Sequence, residues 1–441
     1  MDIKELADIL RENGVVGAGG AGFPTYAKLN QAADTIILNC AECEPLLKLH
    51  QQLLEQYAYE ILEALHLIGQ AVGAKDVVIG IKNAYKKTIA ALNEWIGEYP
   101  EMRLGLLDEM YPAGDEVVLL YEVTKRVVRP GGLPIECGAA IFNVETVYNV
   151  YRAVRHKIPN MDKIVSVVGE VEHPVTVRVP LGTSIEETVA LAGGITTERP
   201  VYFIGGPMMG TIGNGTGPVT KTTNAVLVLP EDHIIIRKKQ RKASIDLKRA
   251  AASCCQCTMC TDLCPRHQLG HPVTPNEFMR AATCKDLQQS QVYLNTMFCS
   301  SCGLCEMYSC MQSLAPRSLM AEYKEGLRAN GVKLPRDVEA VPVDESRKYR
   351  KVPMKRLMAR LELTKYDRPA PLDNETKAVR RVKILMSQHI GAPAVPGVAV
   401  GDVVKAGQVV GLAADGLSVA VHASISGKVL GVTDKYVIIQ N

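Results

Sequence analysis

Eight cysteines in two tight runs constrain this chain more than any other feature. Cys254, Cys257, Cys260 and Cys264 read C-x2-C-x2-C-x3-C, and Pro265 follows. Thiolates at i, i+3 and i+6 can wrap one 4Fe-4S cube while backbone N–H groups face its sulfurs; a more remote cysteine closes the shell. Pro265 keeps the next segment from coiling back. Cys299, Cys302, Cys305 and Cys310 read C-x2-C-x2-C-x4-C, with Met311 where proline is usual. Where two such runs share a chain, the fourth cysteine of each binds the other cluster. Cys310 is therefore expected to complete the first cube and Cys264 the second. Two C-x2-C pairs also suit a four-cysteine zinc site. One zinc needs only four thiolates, and here eight stand in two triplet-plus-one sets, so two 4Fe-4S clusters are the expectation.

The compartment follows from the same residues. The chain has 13 cysteines. Its first residues, MDIKELADILREN, are charged throughout and lack the apolar core of a secretory signal. No apolar run approaches the roughly 18–20 residues of a bilayer span. A reducing cytoplasm is expected, where cysteines do not form a disulfide framework. Net charge is +3, which gives no reason to invoke nucleic acid. Of the cysteines outside the runs, Cys255 lacks the x2 spacing and Cys284 reads as a buried small apolar residue.

The rest of the chain divides by texture. Residues 1–158 alternate strand and helix: a helix over 3–12, strands over 35–40 and 76–82, a helix over 53–73 stopped by Gly73. That order predicts a parallel α/β layer. Residues 163–230 are β-rich with one short helix. The run RKKQRK (237–242) reads as a solvated basic connector. Residues 250–325 hold the clustered cysteines, and 326–378 read as a basic, proline-punctuated linker. Residues 379–441 show short strands between Gly-Asp and Gly-Gln turns, as in a compact β-sandwich. His267 and His271 flank the first cysteine run and read as packing or surface residues.

A second unusual stretch lies near the start. GVVGAGGAGFPTYAKLN (14–30) packs five glycines into its first nine positions, a costly choice for the backbone. Gly17, Gly19, Gly20 and Gly22 alone are a weak signal, because no strand closely precedes them as a dinucleotide fingerprint requires. Pro24 and Thr25 then begin a helical turn whose N–H groups favour an anion, and Lys28 lies one turn on.

At this point the sequence resembles the NADH-binding, flavin-bearing subunit of respiratory complex I. GAGGAGFPTYAK is similar to that family's flavin loop. NCAECEP (39–45), YPAGDE (111–116) and NVETVYNV (143–150) resemble its next three segments, in order. The resemblance implies that the glycines and Lys28 take FMN or its phosphate. It implies that Asn39, Asn143 and Thr146 bond the isoalloxazine or ribityl groups, with Tyr111 and Gly114 in the same site. Glu42, Glu44 and Glu116 would line the nicotinamide side. Ala18 and Ala41 depart from the family's usual arginine and aspartate.

Over nearly the whole chain the sequence resembles the RnfC group, through RPGGLP (129–134), GGPMMG (205–210) and the cysteine runs. The sandwich comes last here, not first. With that order, and RLMARLELTKYDRPAPL (356–372), the chain resembles the cobalamin reductases of the propanediol-utilisation microcompartment. The implied fold is multidomain α+β. An α/β flavin/NADH domain is followed by a β-grasp domain of the soluble-ligand-binding (SLBB) type, a helical two-cluster ferredoxin-like domain and a C-terminal barrel-sandwich hybrid. The sandwich resembles biotinyl or lipoyl carriers, but Ser424–Ser426 stand where a modifiable lysine is needed. The implied activity passes electrons from NADH through FMN and two 4Fe-4S clusters to cobalamin. A flavin is required because hydride delivers two electrons and clusters carry one. Implied partners are a corrinoid or corrinoid-handling protein, a cobalamin adenosyltransferase and a microcompartment shell. The rival readings are the electron-entry component of an Rnf-type membrane complex and a non-enzymatic cluster-bearing shuttle.

Overall fold

Apolar residues on both faces of Thr35–Cys40 make it the centre of the first layer. Ile36, Leu38 and Cys40 point into one core and Ile37 into another, so this strand is buried on two sides. A computed structural model describes residues 1–441. In it the strand pairs in parallel with Asp76–Lys82 on one side and Ala139–Asn143 on the other, and Met102–Leu107 forms the far edge. Helices Leu49–Val72 and Val144–His156 cover one face and Glu116–Thr124 the other. The first helix, Ile3–Glu12, buries Leu6 and Leu10 against the same core. Gly73 ends the long helix in the left-handed conformation, φ 76°, which glycine adopts without a Cβ penalty.

The β-rich middle forms a six-stranded mixed sheet around Asp162–Gly169 and Ala225–Pro230. Its helix Ile185–Ala190 opens on a Ser184/Glu187 capping box, which satisfies two otherwise orphan N–H groups. The cysteine domain packs helices Ala243–Ser253, Pro275–Cys284 and Pro316–Ala329 around Phe278, Phe298 and Leu319. The last domain is a four-stranded and a three-stranded sheet over a Val/Ile core. It docks on the N-terminal domain: Arg11 Nη2 donates to the Ala414 carbonyl at 3.1 Å and the Ala420 N–H to the Arg11 carbonyl at 3.2 Å. Ser424 is buried, with its hydroxyl on the Leu181 carbonyl.

Three expectations change. The 326–378 stretch is no free linker. Val352 and Pro353 pair with Tyr111 and Met110, and Met354, Leu357 and Leu361 enter a core shared by three domains. Leu372–Thr376 adds a strand to the six-stranded sheet. Its charges hid this role, because they find partners on the flavin domain: Arg347 reaches Glu122 at 2.6 Å and Lys351 reaches Asp108 at 2.7 Å. The basic run is not a plain solvated face either, since Lys238 is only 4% exposed. Cys284 is exposed, at the end of its helix, rather than buried.

Candidate functional site

Chain order makes one place on the first sheet special. From Thr35–Cys40 the chain pairs with a later strand on each side, so this is where the winding reverses, and ligands of open α/β sheets bind beyond the carboxyl ends at such a point. Asn39 and Asn143 are direct register partners there. Asn39 Nδ2 donates to the Gly114 carbonyl at 2.8 Å. Asn143 Oδ1 caps the helix Val144–His156 by accepting from the Glu145 and Thr146 N–H groups. The glycine loop lies over this point: the Ala18 N–H donates to Thr146 Oγ1 at 2.9 Å.

The loop has the backbone its glycines allow. Gly20 and Gly22 sit at φ 61° and 68°, where a side chain is strained. A Cβ on Gly20 would meet nothing within 4 Å, whereas one on Gly19 would come within 2.9 Å of Asn224 Nδ2. Two buried polar atoms nearby, Asn224 Oδ1 and His50 Nδ1, have no hydrogen-bond partner. His50 Nε2 lies 2.8 Å from Asn143 Nδ2. Burial holds the His50 imidazole down at about 3, so it is neutral. Unpaired buried polar atoms are costly, and a polar ligand over the loop would satisfy them; an acceptor, Asn224 Oδ1, beside a donor, His50 Nδ1–H (its Nε2 accepts from the Asn143 amide), fits the mixed polar edge of a flavin. Neither His50 nor Asn224 stood out in the sequence. Asn224 sits 202 residues beyond Gly22 in another domain, and no local pattern marks it.

The remaining expected residues separate into distinct roles. Lys28 Nζ donates to Glu116 Oε1 and to the Ile141 carbonyl, each at 2.9 Å. Glu42 is buried and accepts from the Leu49 and His50 N–H groups at the start of the long helix; burial pushes its carboxyl up to about 7. Glu44 is half-buried and accepts from the Met208 and Met209 N–H groups of the GGPMMG loop. Of the three glutamates, only Glu116 keeps an exposed carboxylate. Gly114 is a close approach, since a Cβ there would be 2.3 Å from the Ala41 carbonyl oxygen. Tyr111 is 2% exposed, and its hydroxyl donates to the Cys302 carbonyl at 2.5 Å. That bond leaves the sheet altogether and enters the cysteine domain.

The two cysteine runs fold alike. Gln256 and Thr258 in the first and Ser301 and Gly303 in the second, at matching positions, all have positive φ. Such turns point successive N–H groups inward; the Ser301 N–H, for one, reaches Cys299 Sγ at 3.3 Å. Cys264, Cys299, Cys302 and Cys305 line one small cavity. Cys260 stands beside Cys310, Cys254 and Cys257. Each set therefore takes three cysteines from one run and the fourth from the other. Burial pushes the Cys260 and Cys264 thiols up to about 12; bound iron is what makes such thiols ionise.

The two sets occupy different surroundings. The Cys264 set abuts the flavin domain: Leu46, Leu47 and Tyr111 share a core with Leu304 and Met307, joined by Met208 of the 163–230 domain. Arg266, on the wall of the same cavity, clamps Asp115 at 2.8 and 2.9 Å. The other set opens outward, with Cys257 exposed and Cys254 and Cys310 half-buried. His271 is buried and packs with Nε2 on the Val128 carbonyl.

Comparison with known proteins agrees with this architecture. Residues 10–152 match the Nuo51 FMN-binding domain, 164–212 the SLBB domain, 253–315 a 4Fe-4S dicluster domain and 370–441 the RnfC barrel sandwich hybrid domain. The cobalamin reductase PduS of Salmonella typhimurium is 40% identical over 99% of this chain and 96% of its own. That of Citrobacter freundii is 39% identical over 98% and 96%. A component of the ion-translocating oxidoreductase complex of Edwardsiella ictaluri is 32% identical, over 60% of this chain and 32% of its own. No helix is long and apolar enough to cross a membrane. At 39–40% identity with near-complete coverage of both sequences, the chain belongs to the family of the cobalamin reductase PduS.

Proposed function

We propose that this protein is an NADH-dependent cobalamin reductase, taking two electrons from NADH and delivering them singly to the cobalt of a corrinoid. The observation that carries this reading is the Tyr111–Cys302 bond, which joins a flavin-type segment directly to a ligand loop of the nearer cysteine set. When bound, FMN accepts electrons as a hydride pair and releases them singly, and 4Fe-4S clusters carry one at a time. The chain's own residues bind and orient. Gly17, Gly19, Gly20 and Gly22 let the backbone approach the flavin, Asn39, Asn143 and Thr146 offer polar contacts, and Lys28, held by Glu116 and the Ile141 carbonyl, has one remaining N–H to give the phosphate. Glu42 and Glu44 hold the pocket walls together, and Glu116 is the acid available to the nicotinamide side. Cys264, Cys299, Cys302 and Cys305 hold the near cluster; Cys254, Cys257, Cys260 and Cys310 hold the far one.

End-to-end coverage of the PduS relatives, against 32% of the ion-translocating relative, favours this reading over membrane-complex entry. The same reading puts the protein in a bacterial microcompartment, with shell proteins and a cobalamin adenosyltransferase as neighbours; absence of the chain from isolated microcompartments rejects that part. The direct test is an anaerobic spectrum of the purified protein with NADH and then cob(III)alamin. Bleaching of flavin followed by Co(II) or Co(I) bands is expected, and reduced protein that leaves the corrinoid untouched refutes the function.

Two further outcomes follow. Gly114→Ala forces a Cβ against the Ala41 carbonyl and displaces the Asn39 contact. Flavin content, read from absorbance after release, should drop severalfold while iron stays unchanged. Glu44 supplies a pH signature. Burial pushes its carboxyl up to about 7 from the ordinary 4.5. Between those values the folded state holds more protons than the unfolded one, so stability falls as pH rises through that window. In Glu44→Gln the decline of melting temperature from about pH 4.5 to about 7 becomes shallower; an unchanged slope excludes Glu44 as its source.

A further inference from the structure

The basic run 237–242 divides in the fold. Lys238 Nζ turns inward to the Glu306 carbonyl at 2.7 Å, and Lys239 Nζ to the Met208 and Gly210 carbonyls at 3.2 and 2.8 Å. Arg237 and Arg241 face the other way. With Gln240, Ile245 and Arg249 they line a shallow groove open to solvent. Asp246, the one acid among these residues, has a side chain 2% exposed and lies between Arg241 and Arg249 at 3.9 and 3.5 Å. Lys242 and Lys248 add exposed charge beside it. On a chain whose net charge is only +3, this is a local concentration.

The groove is continuous with the outward-facing cysteine set. Arg241 Nη1 donates to the Ser313 carbonyl at 2.7 Å, and the Ser313 N–H donates to the Cys310 carbonyl at 3.2 Å. The helix Ala243–Ser253 runs from the groove into Cys254. Three apolar side chains stand exposed in the same region: Met311 next to Cys310, Met259 next to Cys260, and Ile245 in the groove itself. Methionine adapts to varied partners.

We propose that this face docks an electron-accepting protein through an acidic surface on that partner. The proposal rests on the electron-wire reading above. Cys254, Cys257, Cys260 and Cys310 would hold the cluster that supplies a single electron here, and the partner's acceptor would be reduced by that one electron, with no bond formed and no proton moved. A protein fits better than a free corrinoid. A single phosphodiester occupies one or two guanidiniums, whereas here three arginines line the groove around Ile245, and two exposed lysines lie next to them in the sequence. Small, charge-steered interfaces of this kind suit brief electron-transfer encounters.

The test uses dithionite-reduced holoprotein and two acceptors, a flavodoxin as an acidic one-electron carrier and free hydroxocobalamin. The variant is Arg237→Glu/Lys248→Glu/Arg249→Glu, which spares Arg241 and its bond to Ser313. At low ionic strength its second-order rate with flavodoxin should fall about tenfold or more, and the salt dependence should flatten. Iron content, flavin reduction by NADH and the rate with hydroxocobalamin should stay as in the parent. Cys257→Ser should lose flavodoxin reduction, which locates the exit at the far cluster. An unchanged flavodoxin rate and salt slope overturn the proposal. So does slowing confined to hydroxocobalamin, which would assign the groove to a phosphodiester. If the parent reduces neither acceptor, the wire reading itself fails and the docking proposal falls with it.

Discussion

Replacing Cys264 with serine is expected to strip the iron held by Cys299, Cys302 and Cys305, not the iron of the run to which Cys264 belongs. Cys264 lines their cavity, and Cys310 stands with Cys254, Cys257 and Cys260. Iron should fall from about eight to about four per chain. Because the lost cluster is the one beside Tyr111 and the flavin segments, electron exit should stop while NADH still reduces flavin. Combining substitutions reads the crossing directly. Cys264→Ser with Cys299→Ser damages one set and should retain about four irons, whereas Cys264→Ser with Cys254→Ser damages both and should retain almost none. The reverse ranking by iron assay and EPR would show that each run binds its own cluster.

Breaking the Arg266–Asp115 clamp should have the largest effect on the coupling of the two modules. The side chains are 13% and 15% exposed and meet twice, at 2.8 and 2.9 Å. Arg266→Leu leaves a carboxylate buried without its partner, which costs about 3–5 kcal/mol. Asp115 also caps the helix Glu116–Thr124 through the Val117 and Val118 N–H groups, so the strain reaches the element carrying Glu116. The expected result is a lower melting midpoint of the anaerobic holoprotein and slower cluster bleaching after NADH, with flavin bleaching at its normal rate. Adding Asp115→Leu should recover most of the stability, short of the roughly 1 kcal/mol lost with the helix cap. A single variant as stable as the parent would mean that the pair is not what holds the interface.

Much of the local structure was legible. The helix 3–12, the strands 35–40 and 76–82 and the stop at Gly73 follow from periodicity and one glycine. The cysteine spacing announces two sets because a cube needs three ligands a turn apart. Long-range partners were not legible. Glu42 and Glu44 resemble ligand-lining acids in sequence, yet both carboxylates are taken up by N–H groups of the chain itself. The 326–378 stretch reads as a linker because its few apolar residues are scattered among charges. Only the neighbouring domains reveal that Met354, Leu357 and Leu361 share a face and that Arg347 and Lys351 have carboxylates to meet.

By itself the amino-acid order determined the modules, the glycine loop and the eight thiols, because each depends on residues a few positions apart, where covalent geometry limits the options. Tertiary structure alone decided that the Cys264 set lies against the flavin segments and the other faces solvent. It also turned Lys238 and Lys239 inward while leaving three arginines at the surface. Those outcomes depend on which surfaces meet when distant segments pack, as when Tyr111 reaches Cys302, and burial and hydrogen bonding at such contacts are written in no single stretch of the chain.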